Sequence, residues 1–203
     1  MSVVSTRPPR PRPVYQLALA ALFVALSVIL TRLLSVIVIG GAFRPELGHV
    51  PIQLAGLLLG PGYGALTGLA ADLIGVILMP QGTFHPGFTL SSVLVGLLPG
   101  LAVTALGVVY TRSGGKKEPE VRQRMPVLLA ATVLSDWAIA QFLSTFWLSG
   151  LLGSPWTTLF ALRLVPVAVR SLLNGAVLAL LLRISVQLSL PGLHLNHKNR
   201  KIS

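Results

Sequence analysis

The sequence predicts an all-α integral membrane protein of about six transmembrane helices, and three observations carry that prediction. Hydrophobic residues make up 53% of the 203 residues and charged residues only 10%, whereas globular domains carry about a quarter charged residues. The apolar residues fall into long stretches, and the basic residues cluster between alternate stretches. A single soluble core does not account for that arrangement.

The helices follow from the apolar stretches, since about 20 apolar residues cross a bilayer core. The first stretch is longer than the apolar region of a signal peptide, so we interpret it as a retained helix. The second is short, which predicts a tilted or partly re-entrant helix. In order, the stretches lie near residues 15–38, 47–60, 63–80, 88–111, 126–150 and 157–189.

Basic residues give the predicted orientation. They concentrate in residues 1–13, in the 111–125 connection and towards the C-terminus, whereas the connections predicted for the other side contain only Arg44. Because Lys and Arg mark cytoplasmic loops, both termini and the 111–125 loop are predicted to be cytoplasmic. The net charge of +11 therefore indicates topology, with no nucleic-acid partner. The predicted organisation is a disordered tail over 1–13, a six-helix domain over 14–190 and a basic tail over 191–203.

Small residues recur at every fourth position in three predicted helices, a spacing that lets helices approach closely. In the first helix Ala21 and Ala25 show it, and internal packing is the alternative to contact with a partner. The other two sets are Gly60, Gly64, Gly68 and Asp72 in the third helix, and Ser92, Gly96 and Gly100 in the fourth.

Five ionisable residues fall within the predicted spans, where each costs roughly 2.5–3.5 kcal/mol on insertion scales and is a functional hypothesis by default. Arg32 and Arg163 lie at a similar depth, about 9 Å from the outer ends of their helices at the usual rise per residue. Asp72 lies slightly deeper and could neutralise one of them. Asp136 and Arg170 lie deeper still and could pair. The outer layer therefore keeps surplus positive charge.

Such a layer suits an anionic ligand with a flat ring, because guanidinium groups donate paired hydrogen bonds and aromatic side chains stack. Trp147, Phe84 and Phe88 are predicted to border it, and the turn-rich residues 81–87 are predicted to form its mouth. A purely structural ion-pair network is the alternative for any single charged residue.

No enzymatic chemistry is predicted. His85 is more typical of a turn residue than of a ligand or a base, and the segment 147–150 lacks the first glycine of a membrane serine protease motif. The chain has no cysteine and no Walker loop, so we expect no metal site, no catalytic residue and no cofactor, with any ATP used by partner subunits. The remaining histidines are assigned outside the spans: His49, His194 and His197.

Several segments resemble the substrate-binding S components of energy-coupling factor transporters. The first set is Val50-Pro51-Ile52, residues 57–64 and residues 68–75. Residues 30–35 and 80–91 are similar to the folate-specific branch of that family. Three later segments are similar to the fifth and sixth helices of the family: Thr145-Phe146-Trp147-Leu148, Gly153-Ser154-Pro155 and Leu162-Arg163.

The resemblance implies capture of folate or a reduced folate from outside a prokaryotic cell, for ATP-driven uptake across the cytoplasmic membrane. The implied partners are a transmembrane coupling subunit (T component), which Ala21 and Ala25 would face, and two ATPase subunits, with lipid around the bundle. Arg32 would contact the ligand, and the edge at Phe88 and Thr89 would close the site. The predicted ligand-binding residues are Arg32, Gln81, Phe84, His85, Phe88, Thr89, Thr145, Trp147 and Arg163.

Two alternatives stay open. One is an S component for another small molecule, such as a different vitamin or a modified purine. The other, from a different functional class, is a membrane scaffold for cell-envelope assembly that transports nothing. A scaffold has no need of a cation-lined cavity open to the outside. Identification of any ligand that co-purifies with the protein separates both alternatives from the folate hypothesis.

Overall fold

The structure is a computed structural model that describes residues 13–33, 47–80, 84–112 and 121–187. The described residues form helices and no strand. A π-helical turn over Ile139–Leu143 joins the helix Val121–Ala138 directly to the helix Ser144–Leu152, so residues 121–152 form one continuous element. The helices are α1 (Pro13–Leu33), α2 (His49–Leu59), α3 (Pro61–Leu78), α4 (Pro86–Arg112), α5 (Val121–Ala138), α6 (Ser144–Leu152) and α7 (Trp156–Gln187).

Six helical segments therefore occupy the described residues, and they coincide with the six apolar stretches. Five are long and apolar enough to cross a membrane, whereas α2 has only 11 residues. The all-α membrane fold predicted from the sequence is confirmed. Around the predicted 111–125 loop, α4 continues to Arg112 and α5 begins at Val121. The two predicted tails are residues 1–13 and 191–203. Pro13 is the first residue of α1, and all other residues of the tails lie outside the described residues.

The short helix α2 is the central element of the bundle. Each residue from Val50 to Leu59 is buried, and α2 packs against α1, α3, α4 and α7. Apart from Gln53 these residues are non-polar, and a helix that is apolar on nearly every side needs such complete enclosure. At about 1.5 Å per residue, α2 extends only roughly 16 Å, so it is shorter than the membrane and depends on its neighbours for burial.

One residue, Gly60, joins α2 to α3. Its φ is 102°, a backbone conformation that glycine adopts without steric cost because it lacks a Cβ. Pro61 then occupies the first turn of α3, where the missing N–H has no intrahelical partner in any case. The Gly-Pro pair thus turns the chain sharply between two packed helices.

Glycines bring the backbones of α2, α3 and α4 into direct contact. A Cβ on Gly96 would overlap the carbonyl oxygen of Gly64, and a Cβ on Gly56 or Gly64 would overlap the carbonyl oxygen of Gly96. One turn along α3, Gly68 contacts the backbone of Ser92 in the same way. The close approach predicted from the small-residue spacing in α3 and α4 is confirmed.

Substitution of Gly64 by valine is expected to destabilise the bundle by about 1–3 kcal/mol, because the added side chain overlaps the backbone of α4. Gly62→Val is the matched control, since Gly62 is on the same helix, is exposed and has no atom within 4 Å of a built Cβ. Thermal unfolding of the purified protein in detergent measures both. Equal decreases in melting temperature for the two variants would contradict the contact.

Candidate ligand-binding site

Several contacts place the C-terminal ends of α1 and α3 beside the N-terminal end of α2. The Arg32 guanidinium lies over Gly75 of α3, where a built Cβ would be 2.8 Å from both its Nε and one Nη atom. The Ser27 hydroxyl of α1 donates to the carbonyl oxygen of Gly48, the residue before α2, at 2.7 Å. We call this region the Arg32 end of the bundle.

The start of α4 belongs to the same end. The Thr89 hydroxyl donates to Oδ2 of Asp72 at 2.6 Å, and Thr89 is buried. Asp72 and Gly75 are three residues apart on α3, so they share one face of that helix. Arg32 and Thr89 therefore contact neighbouring positions of α3. Because Thr89 uses its hydrogen on Asp72, its oxygen can only accept a hydrogen bond from a ligand.

An aromatic cluster forms where α4 begins and α6 passes, and it consists of His85, Phe88 and Trp147. The His85 ring centroid lies 5.4 Å from that of Trp147 and 6.0 Å from that of Phe88. Gly87 makes room for the Trp147 indole, which a Cβ at position 87 would overlap. The backbone N–H of Gly87 donates to Nδ1 of His85 at 3.1 Å. Trp147 Nε1 is buried and has no hydrogen-bond partner among the described residues.

The π-helical turn brings a further polar pair next to α7. Thr145 is fully buried, and its hydroxyl lies 3.5 Å from the carbonyl oxygen of Ala140. One turn earlier, buried Gln141 donates from Nε2 to the carbonyl oxygen of Phe160 at 2.7 Å. Arg163 follows Phe160 by three residues and is half-buried. The sequence reasoning missed Gln141, although an amide inside an apolar span is a usable signal.

Asp136 is the centre of a second polar network. It is 1% exposed, and its Oδ1 lies 2.7 Å from Nδ1 of His49. Its Oδ2 accepts the Ser171 hydroxyl at 2.7 Å and lies 3.7 Å from a guanidinium nitrogen of Arg170. The predicted pairing of Asp136 with Arg170 is confirmed.

His49, which the sequence assigned outside the spans, belongs to α2, which is too short to be among the five helices that can cross a membrane. His49 is the first residue of α2, and its imidazole bonds to a carboxylate in the middle of the long α5–α6 element. The position of His49 follows from where α2 begins, beside Ser27 and Thr31 in the last two turns of α1. Hydropathy along the chain contains no information about where one helix begins relative to another.

The predicted ligand-binding residues thus fall into three groups. Arg32 and Thr89 meet at α3, and His85, Phe88 and Trp147 form the aromatic cluster. Thr145 lies on α6 and Arg163 on α7, each a few residues from the hydrogen bond that joins Gln141 to Phe160. Of the last two, Phe84 is 52% exposed and Gln81 lies outside the described residues.

A separate apolar groove of about 540 Å³ runs between α1 and α3. Ala21 and Ala25 are exposed and line it, together with Leu17, Leu66 and Ala70. Among the described residues, none that lines this groove is charged, so the groove does not suit an anionic ligand. Since both alanines are exposed, their close spacing does not serve internal packing of the described helices.

Comparison with known proteins identifies the family. The protein-family model for the substrate-specific component of ECF transporters matches residues 15–186, which include nearly all of the described helices. The folate transporter FolT of Clostridium novyi (strain NT) is 30% identical over 149 residues, which cover 73% of this chain and 77% of that protein. The chain therefore belongs to the substrate-specific components of ECF transporters and is a multi-pass membrane protein.

Proposed function

We propose that the chain captures folate or a reduced folate from outside the cell for ATP-driven uptake. The observation that carries the choice of substrate is the 30% identity to a folate transporter over most of both chains. The family is one of transporter components rather than enzymes. Family membership also argues against the membrane scaffold, so an S component for another vitamin or a modified purine is the remaining alternative.

The chemistry at the Arg32 end supports this substrate. Folate combines a flat pterin ring with carboxylate groups, and the Arg32 guanidinium offers paired donors that fit a carboxylate or a ring edge rich in acceptors. Trp147 offers a stacking face and a buried N–H that has no partner among the described residues, and such groups call for an explanation. Arg163 would add charge, and Gln81, Thr89 and Thr145 would supply polar contacts around Phe84, His85 and Phe88.

Titration of the purified protein with folate, a reduced folate and riboflavin tests the proposal. We expect saturable binding of a folate and none of riboflavin, which has a flat ring but a different pattern of donors and acceptors. Binding of riboflavin or another vitamin in place of any folate would contradict the folate assignment and leave the family unchanged.

The proposed orientation places both termini in the cytoplasm and the Arg32 end outside. Because the chain has no cysteine, single introduced cysteines report on each side. A membrane-impermeant maleimide should label Phe84→Cys in intact cells and leave Ser113→Cys unlabelled until the cells are opened, since the basic loop is retained inside. The reverse labelling pattern would overturn the orientation.

The proposed partners are a transmembrane coupling subunit and two ATPase subunits. The sequence has no Walker loop, so ATP hydrolysis would belong to the partners. The groove between α1 and α3 is the proposed seat of the coupling subunit, because Ala21 and Ala25 allow a helix to approach closely. Lipid would cover this groove in the isolated chain.

A further inference from the structure

His49 differs from every other residue of α2 because it alone is not buried. Its side chain is 24% exposed, whereas that of Asp136 is 1% exposed. All ten residues from Val50 to Leu59 are buried against neighbouring helices. The partly exposed His49 side chain therefore lies at the N-terminal end of α2, which belongs to the Arg32 end of the bundle.

The position of His49 in depth follows from the residue before it. Gly48 packs against α1, where Ser27 donates to its carbonyl oxygen and a built Cβ would overlap the Thr31 hydroxyl. Thr31 directly precedes Arg32 in the chain. His49 thus lies beside the turn of α1 that carries Arg32, in the layer to which the candidate ligand site belongs.

Asp136 determines which nitrogen of His49 carries the hydrogen. The carboxylate already accepts the Ser171 hydroxyl and has the Arg170 guanidinium 3.7 Å away, so it is the ionised, acceptor-only form that fits there. A 2.7 Å bond to Nδ1 of His49 then requires hydrogen on Nδ1. In the neutral imidazole, Nε2 is left as an acceptor, and the carboxylate also holds the direction of the ring.

We propose that His49 is a substrate-binding residue whose Nε2 accepts a hydrogen bond from an N–H donor on the ring of the substrate, and that Asp136 is its positioning residue. The inference rests on the proposed function, since the pterin ring of folate carries both ring N–H and amino donors. Arg32 offers only donors, so an acceptor in the same layer lets the site recognise both kinds of group on one ring.

Asparagine and glutamine separate this role from a purely structural bond between α2 and α5. In His49→Asn the amide nitrogen replaces Nδ1 and still donates to Asp136, but no atom replaces Nε2. In His49→Gln an amide oxygen reaches the position of Nε2, while the donor to Asp136 is lost. We expect His49→Asn to keep the thermal stability of the unmodified protein and to bind folate roughly tenfold or more weakly. His49→Gln should bind folate more tightly than His49→Asn.

Asp136→Asn tests the positioning role. The introduced amide oxygen is expected to face the donors of Ser171 and Arg170, which turns its NH₂ towards Nδ1 of His49. Nε2 then carries the hydrogen and can no longer accept one, so folate affinity should fall although the hydrogen bond is kept. The same substitution should cause no further loss in the His49→Asn background, because Asp136 acts through His49. Ser171→Ala, which leaves the His49 bond in place, is the control and should bind folate as the unmodified protein does.

The outcomes distinguish the inference from the proposed function. If the unmodified protein binds folate and His49→Asn binds it equally well, His49 is a structural partner of Asp136 and the inference fails alone. Additive losses in the double variant would remove the positioning role of Asp136. If the unmodified protein does not bind folate, the proposed function fails and the inference fails with it.

Discussion

Replacement of Arg32 by alanine is expected to weaken folate binding by about 2–5 kcal/mol, as truncation of a buried charge-assisted pair typically does. Arg32 is half-buried, and its guanidinium lies over Gly75, where a built Cβ would be 2.8 Å from its Nε. Substitution by lysine should restore only part of the affinity, because one ammonium group cannot reproduce the planar paired donors. Titration calorimetry of the purified variants with folate measures both effects.

Arg183→Ala is the matched control for this prediction. Arg183 is exposed on α7, in the C-terminal part of that helix and away from the Arg32 end. Its loss lowers the net charge by the same amount and should leave folate binding unchanged. The prediction fails if Arg32→Ala binds folate as tightly as the unmodified protein and is equally stable, since Arg32 would then make no ligand contact.

Leucine at both Ala21 and Ala25 is expected to abolish stable association with the coupling subunit while the isolated chain still binds folate. The two alanines line the groove between α1 and α3, and close helix contact in membranes depends on small side chains at the contact. Branched side chains in the groove would hold a partner helix away from both walls. Co-purification of the coupling subunit measures association, and folate titration of the isolated chain measures ligand binding.

Ala18→Leu provides the control for this second prediction. Ala18 is also exposed on α1, but it is not among the residues that line the groove. It makes one Ala→Leu change of the same kind on the same helix. Equal loss of association in Ala18→Leu would mean that the whole exposed surface of α1, and not the groove, determines the contact. Parallel loss of folate binding would mean that Ala21 and Ala25 affect the fold.

The fold was predictable from the sequence because its signals are local. A membrane span needs a certain length of apolar residues, and the six stretches that have or approach that length became the six helical segments. The small-residue spacing in α3 and α4 predicted their backbone contact because residues four apart share one helix face. The sequence paired Asp136 and Arg170 correctly because their depths were counted from the two helix ends that one short connection joins. An error in the position of that connection shifts both depths alike and so partly cancels.

The site was predictable only in part. Arg32, Thr89 and Trp147 could be named from buried charge and family resemblance, but their neighbours depend on how whole helices cross. Nothing in the local sequence indicates that Trp147 lies over Gly87, or that Gln141 donates to a backbone carbonyl of α7. The π-helical turn shifts the residues after it around the helix axis, which a regular helical period does not anticipate.

By itself, the sequence determined that this chain is a helical membrane protein with buried charges and closely packed small-residue faces, because hydropathy, charge and spacing act over neighbouring residues. Only the tertiary structure decided that the short helix α2 lies at the centre of the bundle and that its first residue, His49, bonds to Asp136. The physical reason is that the depth and facing of a side chain depend on where its helix begins relative to the others. Packing between distant segments sets that offset.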